Sequence, residues 1–93
     1  MSMVEVTFEE LFCSKARNRI IKILAERGEL NISKIIKEAN LNHTMAETHL
    51  EFLKETGLIQ EKRFGRIRIF RFKQESPKAR GIINFISLME GGT

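Results

Sequence analysis

The sequence predicts a mainly α-helical fold that carries a small β-hairpin, an α+β class, in a single domain. Before residue 57, apolar residues recur at helical spacing along most of the chain. A glycine then ends this pattern, and two short runs rich in β-branched, aromatic and arginine residues come after it. The length of 93 residues, 42% of them hydrophobic and 30% charged, fits one globular domain with a modest core.

The first helical elements lie within residues 7–28. Thr7 and Glu10 have the spacing of a capping box, so a short helix is predicted to start here. Ser14 is a second candidate cap, and apolar residues at helical spacing continue beyond it. The pattern leaves open whether the segment is one helix or two abutting helices. Most of its basic side chains are expected in solvent, with one or two near its start as candidates for a phosphate contact. They are Lys15, Arg17, Arg19, Lys22 and Arg27.

A short strand and a short helix are expected next. Residues 29–31 are long enough only for a bridging strand, and apolar residues at i, i+3, i+4 and i+7 predict a helix over residues 32–39. Either Asn31 or Ser33 is its expected cap. Residues 40–42 then form a tight turn.

The next helix is predicted over residues 43–56, with Asn42 as its favoured N-cap. Successive residues turn about 100° around a helix, which places Leu50 and Leu53 in one narrow apolar arc. This arc is expected to face the core. Gly57 comes next, where left-handed dihedrals end a helix at low cost.

A hairpin is predicted after the glycine. Residues 58–64 and 67–73 are its predicted strands, and the chain turns at Phe64, Gly65 and Arg66. Two helices joined by a short turn and followed by a hairpin make a helix-turn-helix with a wing.

Basic residues concentrate in this wing. Residues 62–73 hold six of them and no acid, whereas the rest of the chain has ten basic and twelve acidic residues. Six like charges on a two-stranded ribbon repel one another, so stability alone does not explain them, and a polyanionic partner does. The six are Lys62, Arg63, Arg66, Arg68, Arg71 and Lys73.

Several classes of function find no support. The single cysteine, Cys13, fits a reducing cytoplasm and is expected to be a small buried hydrophobe. His43 and His49 are six residues apart, a spacing that does not put two ligands on one helical face, so we expect no metal and no cofactor. His49 is expected to be a partly buried, hydrogen-bonded residue at the edge of the core. No catalytic motif and no membrane-spanning apolar run occurs, so we expect neither an enzyme nor a membrane protein.

Two pieces of the chain resemble a known family: NISKIIKEANLNHTMAETHLEFLKETGLI and RFGRIRIFRF. They resemble the winged-helix domain of small prokaryotic transcription regulators of the ArsR type, especially the archaeal members. The resemblance covers residues 14–73 and implies a winged helix-turn-helix core there. Residues 7–13 and 76–90 would then be terminal helical elements of the same domain, residues 1–93.

The resemblance also implies how such a domain meets double-stranded DNA. Residues 32–39 would support a recognition helix, residues 43–56, that lies in the major groove, and the wing would reach the flanking backbone or the minor groove. The implied contact residues are Asn42, His43, Thr44, Met45 and Thr48 in the recognition helix, and Lys62, Arg63, Arg66 and Arg68 in the wing.

Two features depart from this pattern. Metal-sensing members carry cysteine pairs in or near the recognition helix, and this sequence has none there. The outward face of the helix also carries Glu47, Glu51 and Glu55, which oppose a polyanion. Glu51 and Glu55 lie toward the C-terminal end, away from the first turns that contact bases. Glu47 is either a structural first-turn residue, with Thr44 as a capping-box partner, or an acceptor for a cytosine amino group.

The final segment is expected to be a helix, with Ser76 as N-cap and Pro77 in the first turn. Its apolar residues cover too much of its circumference for a helix on a monomer's surface. We expect it to pack with the N-terminal apolar patch across a two-fold axis, forming a homodimer that spaces two recognition helices about one DNA turn apart. The alternative is that both elements extend the core of one chain. The expected interface residues are Phe8, Leu11, Phe12, Ile82, Ile83, Phe85, Ile86 and Met89.

Taken together, these patterns predict a cytoplasmic, DNA-binding transcription regulator. Its wing cations would supply salt-dependent affinity, and the first turns of the recognition helix would discriminate between sequences. One alternative is a protein-interaction module of a transcription or replication complex, favoured by the acidic helix face and by Ile67 and Ile69 on the outer face of the wing. Another is a chromosome-coating protein without sequence preference.

Overall fold

The computed structural model describes residues 7–12 and 14–91, without the side chain of Phe8. The expected burial of Cys13 and the expected interface role of the Phe8 side chain therefore lie outside the described residues. In chain order the elements are α1 (Phe8–Phe12), α2 (Lys15–Arg27), β1 (Glu29–Asn31), α3 (Ile32–Ala39), α4 (His43–Glu55), β2 (Ile59–Phe64), β3 (Ile67–Phe72) and α5 (Pro77–Met89).

Capping side chains determine where the first two helices begin. The backbone N–H of Thr7 donates to Glu10 Oε1 at 3.0 Å, and that of Glu10 donates to Thr7 Oγ1 at 3.1 Å, which is the predicted capping box. Ser14 has extended dihedrals, and its hydroxyl accepts from the backbone N–H of Arg17 at 3.2 Å. Because Ser14 breaks the helical backbone and caps α2, the segment is two helices and not one.

The helix-turn-helix is built from α3, a tight turn and α4. Asn31 and Asn42 cap the two helices, each accepting at 2.8 Å from the backbone N–H three residues on. A cap of this kind contributes about 1 kcal/mol. Asn40 turns the chain between the helices with a left-handed φ of 56°, and Gly57 does so after α4 with a φ of 84°. Both predicted helices are confirmed, and Asn31, not Ser33, is the cap of α3.

The sheet has three antiparallel strands in the order β1-β3-β2. The predicted hairpin is confirmed, and the predicted bridging strand, β1, pairs with the far side of β3. At the end of the hairpin Phe64 lies opposite Ile67, and on the β1 side Leu30 lies opposite Phe70. The wing is therefore anchored at its base by a third strand, while its far end extends beyond it.

The core lies between the helices and one face of the sheet. Leu50 and Leu53 of α4 and Phe70 and Phe72 of β3 are all buried, as their shared faces predict. Burial of each such side chain contributes about 1.5–3 kcal/mol. This packing fixes α4 and the wing as neighbours and leaves the polar side of α4 exposed.

Helix α5 packs against α2. The Ser76 hydroxyl accepts from the backbone N–H of Ala79 at 3.5 Å, and Pro77 occupies the first turn, as predicted. Ala79 and Ile82 face the core. Among the residues that the structure describes, no helix is both long enough and apolar enough to cross a membrane.

Candidate nucleic-acid interface

The exposed residues of the first turns of α4 match the predicted recognition set. Asn42, His43, Thr44, Met45 and Thr48 are all exposed, and Met45 keeps 42% of its surface accessible. The Thr48 hydroxyl donates to the Thr44 carbonyl at 3.0 Å. Its lone pairs and methyl group therefore stay available to a ligand, whereas its proton is used.

A cluster of charged side chains joins α4 to both wing strands, and we call it the stem cluster. The guanidinium of Arg68, on β3, donates from both terminal nitrogens to the Glu47 carboxylate, one of these bonds being the 3.0 Å contact from Nη2 to Oε1. Its Nε donates to Glu61 Oε2 at 2.6 Å. The cluster consists of Glu47, Lys54, Glu61, Arg63 and Arg68.

Glu61 is the centre of the stem cluster. Its side chain is only 6% exposed, and it also accepts from Lys54 Nζ at 2.9 Å and from Arg63 Nε at 3.0 Å. The hydrogen bond from Arg68 and the neighbouring Lys54 ammonium lower the pKa of Glu61 to about 2, against the effect of burial. Arg68 likewise lowers the pKa of Glu47. Both carboxylates are therefore ionised at neutral pH, and the neighbouring cations neutralise their charges.

The stem cluster changes the interpretation of Glu47. Its carboxylate binds Arg68, with His43 Nε2 also 3.7 Å from Oε2, and the α4 cap is supplied by Asn42. The pairing of Glu47 with Thr44 in a capping box is therefore wrong. An interaction with a cytosine amino group would have to compete with Arg68.

Most wing cations have a carboxylate partner from outside residues 62–73. Besides Arg63 and Arg68, Lys62 lies 3.2 Å from Glu29, and Arg71 lies 2.6 Å from Glu75. Within the described part of the chain, only Arg66 and Lys73 among the six wing cations have no side-chain ion pair or hydrogen bond. The repulsion that the sequence suggested is thus largely relieved inside the protein.

Residues 64–67, which we call the wing tip, differ from the stem cluster. Phe64 is 59% exposed and Ile67 is 55% exposed, and the two side chains lie opposite each other. Gly65 takes a positive φ of 62°, and Arg66 completes the turn. The exposure of Ile67 agrees with prediction, whereas Ile69, on the same side of the strand, is half-buried.

Two of the α2 candidates for phosphate contacts, Arg17 and Arg19, already bind protein atoms, and Arg19 Nε donates to the Ala39 carbonyl at 2.9 Å. Arg17 Nη1 donates to the Glu10 carbonyl at 2.6 Å, and its guanidinium carbon lies 3.9 Å from the centre of the Phe52 ring. Arg17 Nε donates to His49 Nδ1 at 3.4 Å, and burial together with the Arg17 charge lowers the pKa of His49. His49 is thus the half-buried, hydrogen-bonded residue that was predicted.

The residues predicted for a dimer interface divide into two groups. Leu11 and Ile82 are buried within one chain, and Phe12, Ile83 and Ile86 are half-buried. Phe85 and Met89 are 48% and 69% exposed. Among the described residues, the large apolar side chain with the highest exposure is Leu88, at 77%, which was not among the predicted interface residues. We call these last three the α5 face.

Among the residues that the structure describes, no group of three or more histidine, cysteine, aspartate or glutamate side chains comes together. The role of Glu61 was not predicted, because it lies one residue outside the basic segment in which acids were absent. Glu61 pairs with Phe70 in the hairpin register, and Arg68 comes two residues before Phe70 on the same face of β3, so the predicted hairpin register is the signal that would have placed Glu61 diagonally across from Arg68.

Residues 14–61 match the family described as bacterial regulatory protein, arsR family. No curated protein sequence matches the chain.

Three solved structures illustrate the similarity of fold. The transcriptional repressor BigR from Xylella fastidiosa shares 18% identity, with a TM-score of 0.72 over 85% of this chain and 78% of its own. HlyU from Vibrio cholerae shares 16%, with a TM-score of 0.74 over 85% and 83%. A homodimeric winged helix-turn-helix DNA-binding domain from Mycobacterium bovis shares 22%, with a TM-score of 0.70 over 87% and 72%.

Proposed function

The chain belongs to the arsR family of bacterial regulatory proteins and is a winged-helix transcription regulator, and we propose that it reads double-stranded DNA with α4 and the wing as one surface. The first turns of α4 lie in the major groove, and the wing lies on the adjacent backbone or minor groove. The same proposal places the protein in the cytoplasm and in the archaeal branch of the family. It also assigns the protein no metal ion.

The observation that carries this proposal is the bond between Arg68 and Glu47. It ties the wing to the recognition helix, and Glu61 extends the tie to the second wing strand and to Lys54. Two elements that must engage neighbouring grooves need a fixed separation, because a misplaced wing would lose its contacts when α4 is seated. Arg68 therefore acts as a positioning residue, and the DNA contacts of the wing come from its neighbours.

The stem cluster also weakens the electrostatic objection to DNA binding. Glu47 is neutralised by Arg68, and Glu51, at the far end of α4, lies 3.4 Å from Lys54. The exposed side chains of the first turn of α4 are polar groups and one methionine, and none of them is an unpaired carboxylate. Thr48 is suited to accept from an adenine or cytosine amino group or to contact a thymine methyl group, since its own proton is directed to Thr44.

We also propose that the protein is a homodimer. The α5 face presents three large apolar side chains to solvent in one chain, an arrangement that a second copy would cover. Leu11 and Ile82, by contrast, are buried in the core of each chain. The homodimeric domain from Mycobacterium bovis has a similar fold.

The DNA proposal is tested by fluorescence anisotropy with a duplex selected from random sequences and a scrambled duplex, between about 50 and 300 mM salt. We expect tighter binding to the selected duplex and a steep fall of affinity with salt. Neutralising Arg63, Arg66 and Arg68 together should weaken binding to every sequence and flatten the salt slope, because Arg66 loses its DNA contact and the loss of Arg63 and Arg68 releases the wing from Glu61 and Glu47. Changing Thr44 or Thr48 should instead alter preference among sites. Circular dichroism controls for folding.

The outcomes separate the alternatives. Equal affinity for both duplexes would identify a chromosome-coating protein without sequence preference. No binding at low salt would mean that the surface serves a protein partner. An unchanged affinity of the folded triple variant would contradict the role given to the wing.

Light scattering after size-exclusion chromatography tests the dimer. We expect the parent protein to be dimeric at micromolar concentration and Leu88→Glu to be monomeric, since a charge in an apolar interface is costly. Ile67→Glu is the matched control, because it places the same charge at a similarly exposed apolar residue of the wing and should stay dimeric. A monomeric parent protein would refute the proposal.

A further inference from the structure

The wing tip presents an apolar pair that the fold does not use. Phe64 and Ile67 face each other across the last register position of the hairpin, so both side chains lie on the same side of the ribbon. More than half of each is exposed. The core is filled by other residues of the same strands, such as Phe70 and Phe72, and a polar pair would serve equally well at a hairpin end.

Arg66 places a positive charge beside this apolar pair. It is the one cation of the turn, and it has no hydrogen bond or ion pair to any residue that the structure describes. An alanine side chain built at Gly65 would meet nothing within 4 Å, so the tip is also unobstructed by the rest of the domain. The tip is thus narrow, protruding, apolar on one side and positively charged.

A DNA minor groove fits this combination of shape and chemistry. It is about 6 Å wide, it attracts arginine through its negative potential, and its walls are apolar sugar edges. The tip is also in reach of it, because Ile67 directly precedes Arg68, the strand residue bonded to α4, and two strand residues span about 7 Å. When α4 lies in the major groove, a wing that is bonded to α4 through Arg68 extends past the helix toward the adjacent minor groove.

We propose that Phe64 and Ile67 form a wedge that enters the minor groove beside the recognition site and partly unstacks one base step, while Arg66 binds the groove next to it. This inference rests on the proposed DNA binding and adds a mode of reading to it. Inserted apolar side chains bend DNA by about 20–90° toward the major groove. Pyrimidine–purine steps, TA and CA/TG, deform most easily, so the protein selects such a step without hydrogen bonds to its bases.

The test uses the full chain and the selected duplex, with 2-aminopurine placed in turn at each position flanking the major-groove site. Fluorescence of this base rises when it unstacks. We expect a rise at one flanking step with the parent protein and its loss with the double variant Phe64→Ala and Ile67→Ala. The double variant should bind about tenfold more weakly, the equivalent of one lost base contact, with the salt slope unchanged.

Two control variants separate the wedge from charge and from bulk folding. Arg66→Gln should lower the salt slope by about 1 and keep most of the fluorescence rise, because the apolar pair remains. Phe64→Leu should keep both affinity and fluorescence, since it retains an apolar side chain. Replacing the selected flanking step by a stiff A-tract step should weaken the parent protein and leave the double variant unaffected.

The results distinguish failure of the wedge from failure of DNA binding. If the parent protein binds the selected duplex but no flanking position brightens, or if the double variant binds and unstacks equally well, the wedge is refuted and the DNA proposal stands. If the parent protein binds no duplex, both are refuted.

Discussion

The two ends of the wing use arginine for opposite purposes. In the stem cluster, the side chain of Arg68 is 18% exposed, and each of its three guanidinium nitrogens donates a hydrogen bond to Glu47 or Glu61. At the wing tip, two residues away along the chain, Arg66 is exposed and unpaired within the described structure. The stem cations hold the wing in place, whereas the tip cation is left for a partner.

This difference shows why a count of charges along a segment overstates its positive field. Residues 62–73 contain no acid, yet four of their six cations lie within 4 Å of a carboxylate from elsewhere in the chain. Of the six wing cations, only Arg66 at the tip and Lys73 after β3 remain unpaired within the described structure, and Arg66 is the one at the protruding end. Substitutions that change either the stem cluster or the wing tip, and leave the other intact, can separate the two roles.

The largest expected effect comes from the stem cluster. Glu61→Gln removes the charge that three cations share, and we expect it to lower the free energy of unfolding by about 2 kcal/mol, since charge-assisted hydrogen bonds of a nearly buried carboxylate are lost. In thermal denaturation followed by circular dichroism, this corresponds to a fall of roughly 10 °C in Tm. Such a loss of stability would identify Glu61 as a residue that stabilises the fold.

Glu51→Gln is the matched control. Glu51 also pairs with Lys54, at 3.4 Å, but its side chain is 59% exposed. Its loss should change the free energy of unfolding by less than about 0.5 kcal/mol. Equal effects of the two substitutions would mean that the stem cluster gains nothing from its burial.

The sequence predicted the features that depend on short-range geometry. The caps Ser14, Asn31 and Asn42 bond backbone groups three residues away, and the buried arc of α4 follows from helical periodicity alone. The hairpin turn at Gly65 was likewise visible as a break between two β-prone runs. The bounds of α4 and of both hairpin strands were therefore predicted to within one residue, and the burial of Leu50 and Leu53 was predicted correctly.

Contacts between distant side chains could not be predicted in the same way. Glu47 and Arg68 are 21 positions apart, and their bond depends on the angle at which the wing leaves α4. The break between α1 and α2 also remained open, because the apolar spacing is compatible with a continuous helix. The high exposure of Leu88 was not predicted, because only tertiary packing decides which part of an apolar helix stays exposed.

The second prediction compares the two ends directly through salt dependence. Arg66→Gln should weaken binding to the selected duplex roughly tenfold at 0.1 M salt and lower the log–log salt slope by about 1, because one phosphate-neutralising cation is lost. Arg63→Gln should lower the slope by less than half as much, since Arg63 already lies 3.0 Å from Glu61. Anisotropy titrations at four salt concentrations measure both slopes. Similar slopes for the two variants would erase the distinction between stem and tip.

The third prediction concerns acid, and its effect is smaller over the pH range in which the protein is handled. Because the pKa of Glu61 falls from 4.5 to about 2 on folding, its stabilising contribution is complete above pH 5 and is lost progressively as the pH falls from 4.5 toward 2. The pKa of Glu75 is also about 2, owing to the hydrogen bond from Arg71, but its side chain is 58% exposed.

Urea denaturation at pH 6 and pH 3.5, at low salt and in about 0.5 M salt, separates the two carboxylates. The acid sensitivity removed by Glu61→Gln should persist at high salt, because a nearly buried pair is poorly screened. The smaller sensitivity removed by Glu75→Gln should disappear there, because salt screens an exposed pair. If both contributions vanished together at high salt, Glu61 would behave as a surface charge, and the stem cluster would hold the wing no more firmly than an exposed ion pair does.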